Sequence, residues 1–475
     1  MDRRHVISLI ALSVILAMSS IFQMGYANAY PNTAVNSFRI FLNESDYGPF
    51  TEDTFTWVWS AVLNVYFIGF IVGSVAAVPL ADYSGRKWCL LFGNATNFVA
   101  AVLSTLSTAF LLPGLFVTSR VVFAVAAGIS MNSLVLLLQE SAPVQLRGLM
   151  SFNAEMAFVA TNMLGALAGM RTVLGTNLVW LTGLACIPAL LSVFMAIYFP
   201  DSPRYLLNRK KNRRLAEKSV QFYHGSDEQE TSKVLTSYEK EADGNNGSLR
   251  ELVSTKHVRF GLFLGVTALQ ATTSVWPIVY YSTDFLIREN IDPDAAELTS
   301  TIMLFVSCIS TVVGMIMIER YPRRRLLLSC GFANMGALTL FVVSAQLQFL
   351  FASSKYGCIV AVVLHGISYS IALGPISWFI TAELVPLQFR ALSQSLALSF
   401  NQTAALILCF ITLPLYDKIG SYVLLPSFVV PGLLAMTYLA LYLPETRSKD
   451  ISEVIAELKG SKKNVVELTD QPAQL

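Results

Sequence analysis

With 475 residues, of which 54% are hydrophobic and only 13% charged, the chain lies far from the roughly quarter-charged composition of soluble domains and reads as a membrane protein. A net charge of +2, with the basic residues gathered in a few loops, gives no footing for nucleic acid as a partner. No nucleophile, base and acid occur together in a loop or cavity motif, so nothing points to an enzyme.

Windows of about 20 predominantly apolar residues predict twelve spans, at 7–28, 57–81, 88–109, 113–138, 149–171, 177–199, 259–286, 297–318, 326–347, 356–381, 391–413 and 421–443. The first run follows Met1-Asp2-Arg3-Arg4 and continues for about 20 residues without an A-x-A cleavage site, which predicts a retained span rather than a signal peptide. An external loop at 28–56 carries the sequon Asn43-Glu44-Ser45, so Asn43 is expected to carry glycan. Gly69 and Gly73 in the second span have small-xxx-small spacing, read as ordinary close helix packing. The loops at Arg86-Lys87, Arg147, 320–325 and Arg390 and the basic segment 200–258 fall on one side. By the positive-inside rule that side is the cytoplasm, with both termini. The 205–242 part predicts short amphipathic helices, too small for a catalytic domain. The six cysteines sit in or beside apolar runs with no C-x-x-C, and read as small core residues rather than metal ligands.

The chain is one half written twice. Glu140-Ser141-Ala142-Pro143-Val144-Gln145-Leu146-Arg147 and Glu383-Leu384-Val385-Pro386-Leu387-Gln388-Phe389-Arg390 share the pattern E-x-x-P-x-Q-[Leu/Phe]-R, an internal repeat about 240 residues apart. Gly85-Arg86-Lys87 is echoed by Pro322-Arg323-Arg324, and Pro200-Asp201-Ser202 by Pro444-Glu445-Thr446. The organisation expected is an N-terminal six-helix half (1–199), a cytoplasmic helical linker (200–258), a C-terminal six-helix half (259–443) and a tail (444–475). The fold class is therefore an all-α membrane protein with two pseudo-symmetric six-helix halves.

These motifs resemble those of the sugar porters of the major facilitator superfamily, and of the facilitative glucose and fructose (GLUT) family in particular. Asp82-Tyr83-Ser84-Gly85-Arg86-Lys87 stands for D-R-x-G-R-[KR], with Arg120 and Gly128 in the fourth span and Arg147-Gly148 after Glu140. Pro200-Asp201-Ser202-Pro203-Arg204 stands for P-E-S-P-R, Tyr280-Tyr281-Ser282 for Y-Y-S, Gly374-Pro375 with Trp378 for the tenth-span motif, and Pro444-Glu445-Thr446 for P-E-T. The resemblance covers nearly the whole chain. It implies a gate at the cytoplasmic helix ends, formed by Asp82, Arg86, Lys87, Glu140 and Arg147 from one half and Glu319, Arg323, Arg324, Glu383 and Arg390 from the other. Ion pairs there would favour the outward-facing state and break on switching; the plainer reading is that they anchor loops to the interface. Exposed pairs are each worth roughly 0–1 kcal/mol, so a network is needed.

The resemblance also implies a solute site near the bilayer midplane between the halves, and there the chain departs from its relatives. The family's Q-Q-x-S-G-x-N is here Gln270-Ala271-Thr272-Thr273-Ser274-Val275-Trp276. Gln270 keeps one amide, whereas Ala271 and Trp276 replace a glutamine and an asparagine. Ser307 and Ser370 stand where the family has asparagine and glutamate. Asn401 is retained, with Gln402 beside it. In the first span, Phe22-Gln23-Met24-Gly25-Tyr26 is close to the fructose-type branch, but Ala27 stands where proton-coupled porters carry aspartate. The fifth-span glutamine is Glu155, with Asn162 seven residues on and hence on the same face. A carboxylate inside a span is a functional candidate by default; the alternative is a buried pair with Arg120, from which helical rise separates it by roughly 18 Å. The expected solute-binding set is thus Glu155, Asn162, Gln270, Thr273, Trp276, Trp378 and Asn401.

The sequence reading is a facilitative carrier of a hexose or related monosaccharide, working by alternating access in the plasma membrane. It needs no cofactor, metal or obligate protein partner, only the solute and the bilayer. Two alternatives stand beside it: proton-coupled transport of another small organic solute through Glu155, and a non-transporting sensor.

Overall fold

The computed structural model describes residues 3–45, 48–143, 146–225, 227–241, 249–447, 449 and 451–458, and every regular element among them is helical. The chain forms two compact units. The first comprises Met1–Asp243 with Val279–Ile287 and Asp292–Phe305; the second comprises Gly244–Ile278, Arg288–Ile291 and Val306–Leu475. The first contains α1 (Arg3–Thr33), α2 (Val35–Asn43), α3 (Glu52–Ser84), α4 (Arg86–Ala109), α5 (Pro113–Ser141), α6 (Arg147–Gly169), α7 (Leu178–Gly183), α8 (Cys186–Tyr198), α9 (Pro203–Asn208), α10 (Arg213–His224) and α11 (Glu228–Glu241). The second contains α12 (Leu249–Ser254), α13 (Lys256–Gln270), α16 (Arg323–Leu347), α17 (Lys355–Ser368), α18 (Gly374–Glu383), α19 (Arg390–Ile419), α20 (Val430–Tyr442) and α21 (Ile451–Leu458). Helices α14 (Val275–Arg288) and α15 (Pro293–Arg320) contribute to both.

Among the described residues eleven helices are long and apolar enough to cross a membrane. The twelfth span is α6, whose 23 residues reach about 35 Å at the helical rise, while Asn153, Glu155, Thr161 and Asn162 dilute its apolar character. Helices α7 and α8 together make one crossing, Leu178–Tyr198.

Helix α3 shows how the spans are built. Thr51 caps it, its hydroxyl accepting from Thr54 N–H at 3.3 Å, and Glu52 and Asp53 in the first turn suit the helix dipole. Ile68, Val72, Val75 and Val78 are exposed and form its lipid-facing stripe, while Tyr66, Phe67, Phe70 and Ala77 are buried. A Cβ on Gly73 would lie 2.1 Å from the Val125 carbonyl oxygen, and one on Gly128 would lie 2.5 Å from that of Phe70. The glycines thus let the α3 and α5 backbones touch, as small-xxx-small spacing predicts.

The segment expected to be an external loop at 28–56 is largely helical. Helix α1 continues to Thr33, and α2 follows because Val35, Phe38, Phe41 and Leu42 are buried on one face. Phe38 packs against Trp59 and Phe116, with ring centroids 5.3 and 5.1 Å away. Asn43 closes α2, its Oδ1 accepting from Phe50 N–H at 3.1 Å. In the linker, α9 to α11 have their own apolar core of Tyr205, Leu206, Ala216, Val220, Leu235 and Tyr238. Ser202 and Asn212 cap α9 and α10, and Gly225, at φ +56°, ends α10 in the left-handed conformation.

In the second unit three spans are not continuous α-helix. The twelfth opens with a π-turn at Leu425–Val429. The seventh is interrupted at residues 271–274, between α13 and α14, and the tenth contains a π-turn, Tyr369–Leu373, between α17 and α18. Such irregularities remove regular backbone hydrogen bonds inside a membrane and are tolerated where protein or a cavity satisfies them.

Candidate functional site

In the first unit polar side chains converge from α1, α5 and α6. Arg120 is 2% exposed. Its Nη1 donates to the Ala27 carbonyl at 2.5 Å and its Nη2 to Asn28 Oδ1 at 3.5 Å, with the guanidinium 5.4 Å from the Phe123 ring centre. Arg120 therefore bonds to neutral oxygens of α1, and Glu155 has no ion-pair partner among the described residues. Asn162 Nδ2 donates to the Phe158 carbonyl at 2.8 Å, leaving its buried Oδ1 without a partner. The Oε1 of buried Gln23 is likewise unpartnered.

In the second unit three of the expected residues stand in or beside the break of the seventh span. Gln270 Nε2 is buried without a partner. The Thr273 hydroxyl donates to the Gln270 carbonyl at 2.9 Å, and Trp276 is 5% exposed. Asn401 comes to the same place from α19, its Nδ2 donating to the Leu269 carbonyl at 2.7 Å, and the Oε1 of neighbouring Gln402 is buried and unpartnered. Ala271, Ser307 and Ser370 are buried. Trp378, on α18, is partly exposed, and its carbonyl accepts from Gln394. Buried polar atoms in folded proteins nearly always have partners, so the orphans on Gln23 and Asn162 in the first unit and on Gln270 and Gln402 in the second are open hydrogen-bonding positions, as are those on Asn94 and Asn97.

The Tyr280-Tyr281-Ser282 motif lies outside the expected solute-binding set, and it carries a hydrogen-bonded cluster of its own. Tyr280 Oη donates to Asn28 Oδ1 at 3.3 Å, and Asn64 Nδ2 to Tyr281 Oη at 3.1 Å. Asn32 Nδ2 donates to Ser282 Oγ at 2.9 Å, while Asn32 Oδ1 accepts from Thr283 N–H at 3.0 Å. Ser300 takes part through both Ser282 and Thr283, at 2.8 and 2.9 Å. Nearby, Arg171 Nε sits 2.8 Å from Glu297 Oε1 and its N–H donates to Oε2 at 3.0 Å, with the Glu297 side chain 2% exposed. The legible signal was Asn28 and Asn32, one turn apart in an apolar helix.

The charged repeat motifs form a network inside each unit. In the first, Arg86 Nε lies 3.0 Å from Glu140 Oε2 and Arg86 Nη2 donates to Oε1 at 3.0 Å; Asp82 is 3.4 Å from Arg86 Nη1. Ser202 Oγ donates to Glu140 Oε2 at 2.6 Å, and Lys87 Nζ to the Ile197 carbonyl at 2.7 Å. In the second, Arg323 pairs with Glu383 and lies 5.2 Å from the Phe379 ring centre, while Arg324 donates to the Ala440 carbonyl. Arg390 is partly buried, and its Nε has no partner. The side chains of Arg147 and Glu319 lie outside the described residues.

Two carboxylates of this region were not on the expected list. Asp201 Oδ1 accepts from the backbone N–H of Lys87 at 3.0 Å, at the start of α4. Glu445 accepts from the N–H groups of Arg323 and Arg324 at 2.9 and 3.1 Å, at the start of α16. Each supplies an anion to a helix N-terminus whose first N–H groups have no partner within the helix. Burial pushes the Asp201 carboxyl up from its ordinary pKa, against the pull of the Lys87 and Ser202 N–H groups and of the Arg86 guanidinium.

The family model described as "Sugar (and other) transporter" matches residues 12–458. The chain is similar to the human protein named solute carrier family 2, facilitated glucose transporter member 5, at 28% identity over 470 residues, 95% of this chain and 92% of that protein. It is similar to mouse member 7 of the same series at 26% identity, covering 98% and 92%. Among solved structures, the partially occluded inward open form of the Escherichia coli xylose transporter XylE matches with a TM-score of 0.75 at 17% identity, covering 93% of this chain and 100% of that one. At that identity the likeness establishes the major facilitator fold.

Proposed function

Because the chain belongs to the sugar (and other) transporter family, we propose that this multi-pass membrane protein carries a hexose or a related monosaccharide passively, by alternating access. The observation that carries the reading is the set of orphaned amide atoms on Gln23, Asn162, Gln270 and Gln402, all within spans. Amides of that kind bond to either end of a sugar hydroxyl, and in transporters of this fold polar side chains near the midplane meet the solute. The names of the relatives, which are facilitated glucose transporters, support the same solute class.

Passive transport is favoured by Arg120. Where proton-coupled porters carry aspartate this chain has Ala27, and Arg120 binds that residue's backbone carbonyl and the Asn28 amide oxygen, neither of which takes up a proton. A second reading, proton coupling through Glu155, rests on that carboxyl having no cation beside it among the described residues. The reading further places the carrier in the plasma membrane, with both termini cytoplasmic and Asn43 glycosylated outside.

The deciding experiment is uptake of labelled hexoses, polyols and ascorbate-like and urate-like solutes into proteoliposomes, with and without a pH gradient. The reading expects saturable hexose entry that equilibrates and ignores the gradient. Accumulation above equilibrium with an inward proton gradient would replace it with the coupled reading, and transport of none of the hexoses or polyols would remove the solute class.

A further inference from the structure

The broken seventh span is held by a residue outside the expected solute-binding set. At the break the backbone is tightened: the N–H groups of Thr272, Thr273, Val275 and Trp276 bond three residues back, to Leu269, Gln270, Thr272 and Thr273, at 3.0, 3.2, 3.1 and 3.4 Å. Such bonds have poorer geometry than those of an α-helix, so the conformation needs support from its surroundings.

That support is a buried side-chain cluster. His365, on α17 and 1% exposed, has its Nε2 3.0 Å from Ser274 Oγ. The same hydroxyl donates to Asn334 Oδ1 at 3.4 Å. Asn334 Nδ2 in turn donates to the His365 carbonyl and to Ser368 Oγ, both at 3.0 Å. One tautomer accounts for every bond: Nε2–H donates to Ser274, whose hydroxyl donates to Asn334, and Nδ1 remains as the unpartnered acceptor. Ser368 immediately precedes the π-turn Tyr369–Leu373 and His365 lies one turn before it, so the cluster joins the break of the seventh span to the irregular segment of the tenth.

We propose that His365 is a positioning residue for the solute: through Ser274 and Asn334 it fastens the break at 271–274 to the π-turn of the tenth span, and so fixes where Gln270, Thr273 and Trp276 stand. The inference rests on the transport reading for its effect on solute, but the clamp itself is independent of which solute is carried. His365 would touch no solute; it acts through the backbone that carries the residues that do.

The test compares Ser274→Ala, His365→Phe and His365→Gln in the full chain. The first two remove the bond at nearly constant volume, and glutamine can reach Ser274 with an amide. Two readouts are taken: amide hydrogen exchange across 271–276 in detergent without solute, and uptake kinetics in proteoliposomes with the hexose that the wild type carries best. The expected result is exchange about tenfold faster in Ser274→Ala and His365→Phe, the order of one buried hydrogen bond, with recovery in His365→Gln. KM should rise about tenfold in the same two variants while maximal exchange flux stays within about twofold. Unchanged exchange at 271–276 in both variants would overturn the clamp, whether or not sugar is carried. Faster exchange with unchanged KM would overturn the positioning role. If the wild type carried no hexose, the transport reading would fall and the exchange measurement would still decide the clamp.

Discussion

The carboxylate of Asp201 accepts the backbone N–H of Lys87 at 3.0 Å across 114 positions of chain, and in the other half of the repeat Glu445 does the same for Arg323 across 122 positions. The P-D-S and P-E-T motifs that close the two halves are thus anionic caps on helices that begin beside the charged loops. Gly85 stands where it does for the same reason: at φ +103° it adopts a conformation open to glycine, and a Cβ there would come within 2.1 Å of Asp201 Oδ2.

Removing the cap should cost stability, and neutralising it should not. Asp201→Ala leaves the Lys87 N–H without its acceptor and is expected to cost about 1 kcal/mol, whereas Asp201→Asn keeps an oxygen in place. The sign of the pH dependence follows from the raised pKa of Asp201. A carboxyl that holds its proton more tightly when folded favours the fold at acidic pH, and loses that contribution as pH rises through its folded-state pKa. Asp201→Asn should therefore gain on the wild type in detergent melting curves as pH rises above the ordinary carboxylate range. A wild type that gains on Asp201→Asn as pH rises contradicts the assignment.

The solute selectivity should be set by Trp276. It fills a buried position at which the related family carries an amide, so Trp276→Asn with Ala271→Gln is expected to tighten hexose binding by about tenfold, the order of one added hydrogen bond. Competition by unlabelled glucose in proteoliposomes measures it. Since loss of a buried tryptophan costs about 3–5 kcal/mol of stability, monodispersity of the variant is checked first, and Ala271→Gln is assayed alone as well.

Glu155 separates passive from coupled transport. In the passive reading it replaces glutamine as a hydrogen-bonding group, and Glu155→Gln should keep or improve uptake and leave its pH dependence flat. In a coupled carrier the same change should abolish gradient-driven accumulation and spare solute exchange across symmetric membranes. Accumulation in the wild type that disappears in Glu155→Gln would overturn the passive assignment.

Asn43 lies at the end of α2 with Oδ1 held by Phe50, and its residue remains partly exposed. Glycosidase treatment is expected to shift the wild type on a gel and leave Asn43→Gln unmoved. A shift that persists in Asn43→Gln would move the glycan, and with it the proposed sidedness of this segment.

Much of the plan was readable in the chain because it is written in local patterns. Apolar runs of membrane-spanning length set the spans, and the E-x-x-P-x-Q-[Leu/Phe]-R repeat announced the duplication. Gly69 and Gly73 announced close packing, which Gly73 and Val125 make at backbone distance. Local pattern failed at 28–56, expected to be a loop because it lies between two apolar runs: Phe38 is buried against Trp59 and Phe116, and the neighbouring helices decide that burial. It was also silent on partners: that Arg120 turns to the Ala27 carbonyl, that Asp201 reaches Lys87, and that His365 holds Ser274. Hydropathy and spacing fix which residues enter the membrane and which face of a helix they share. Which distant oxygen meets which buried donor depends on how close two helix backbones come, and only the packed tertiary structure sets that distance.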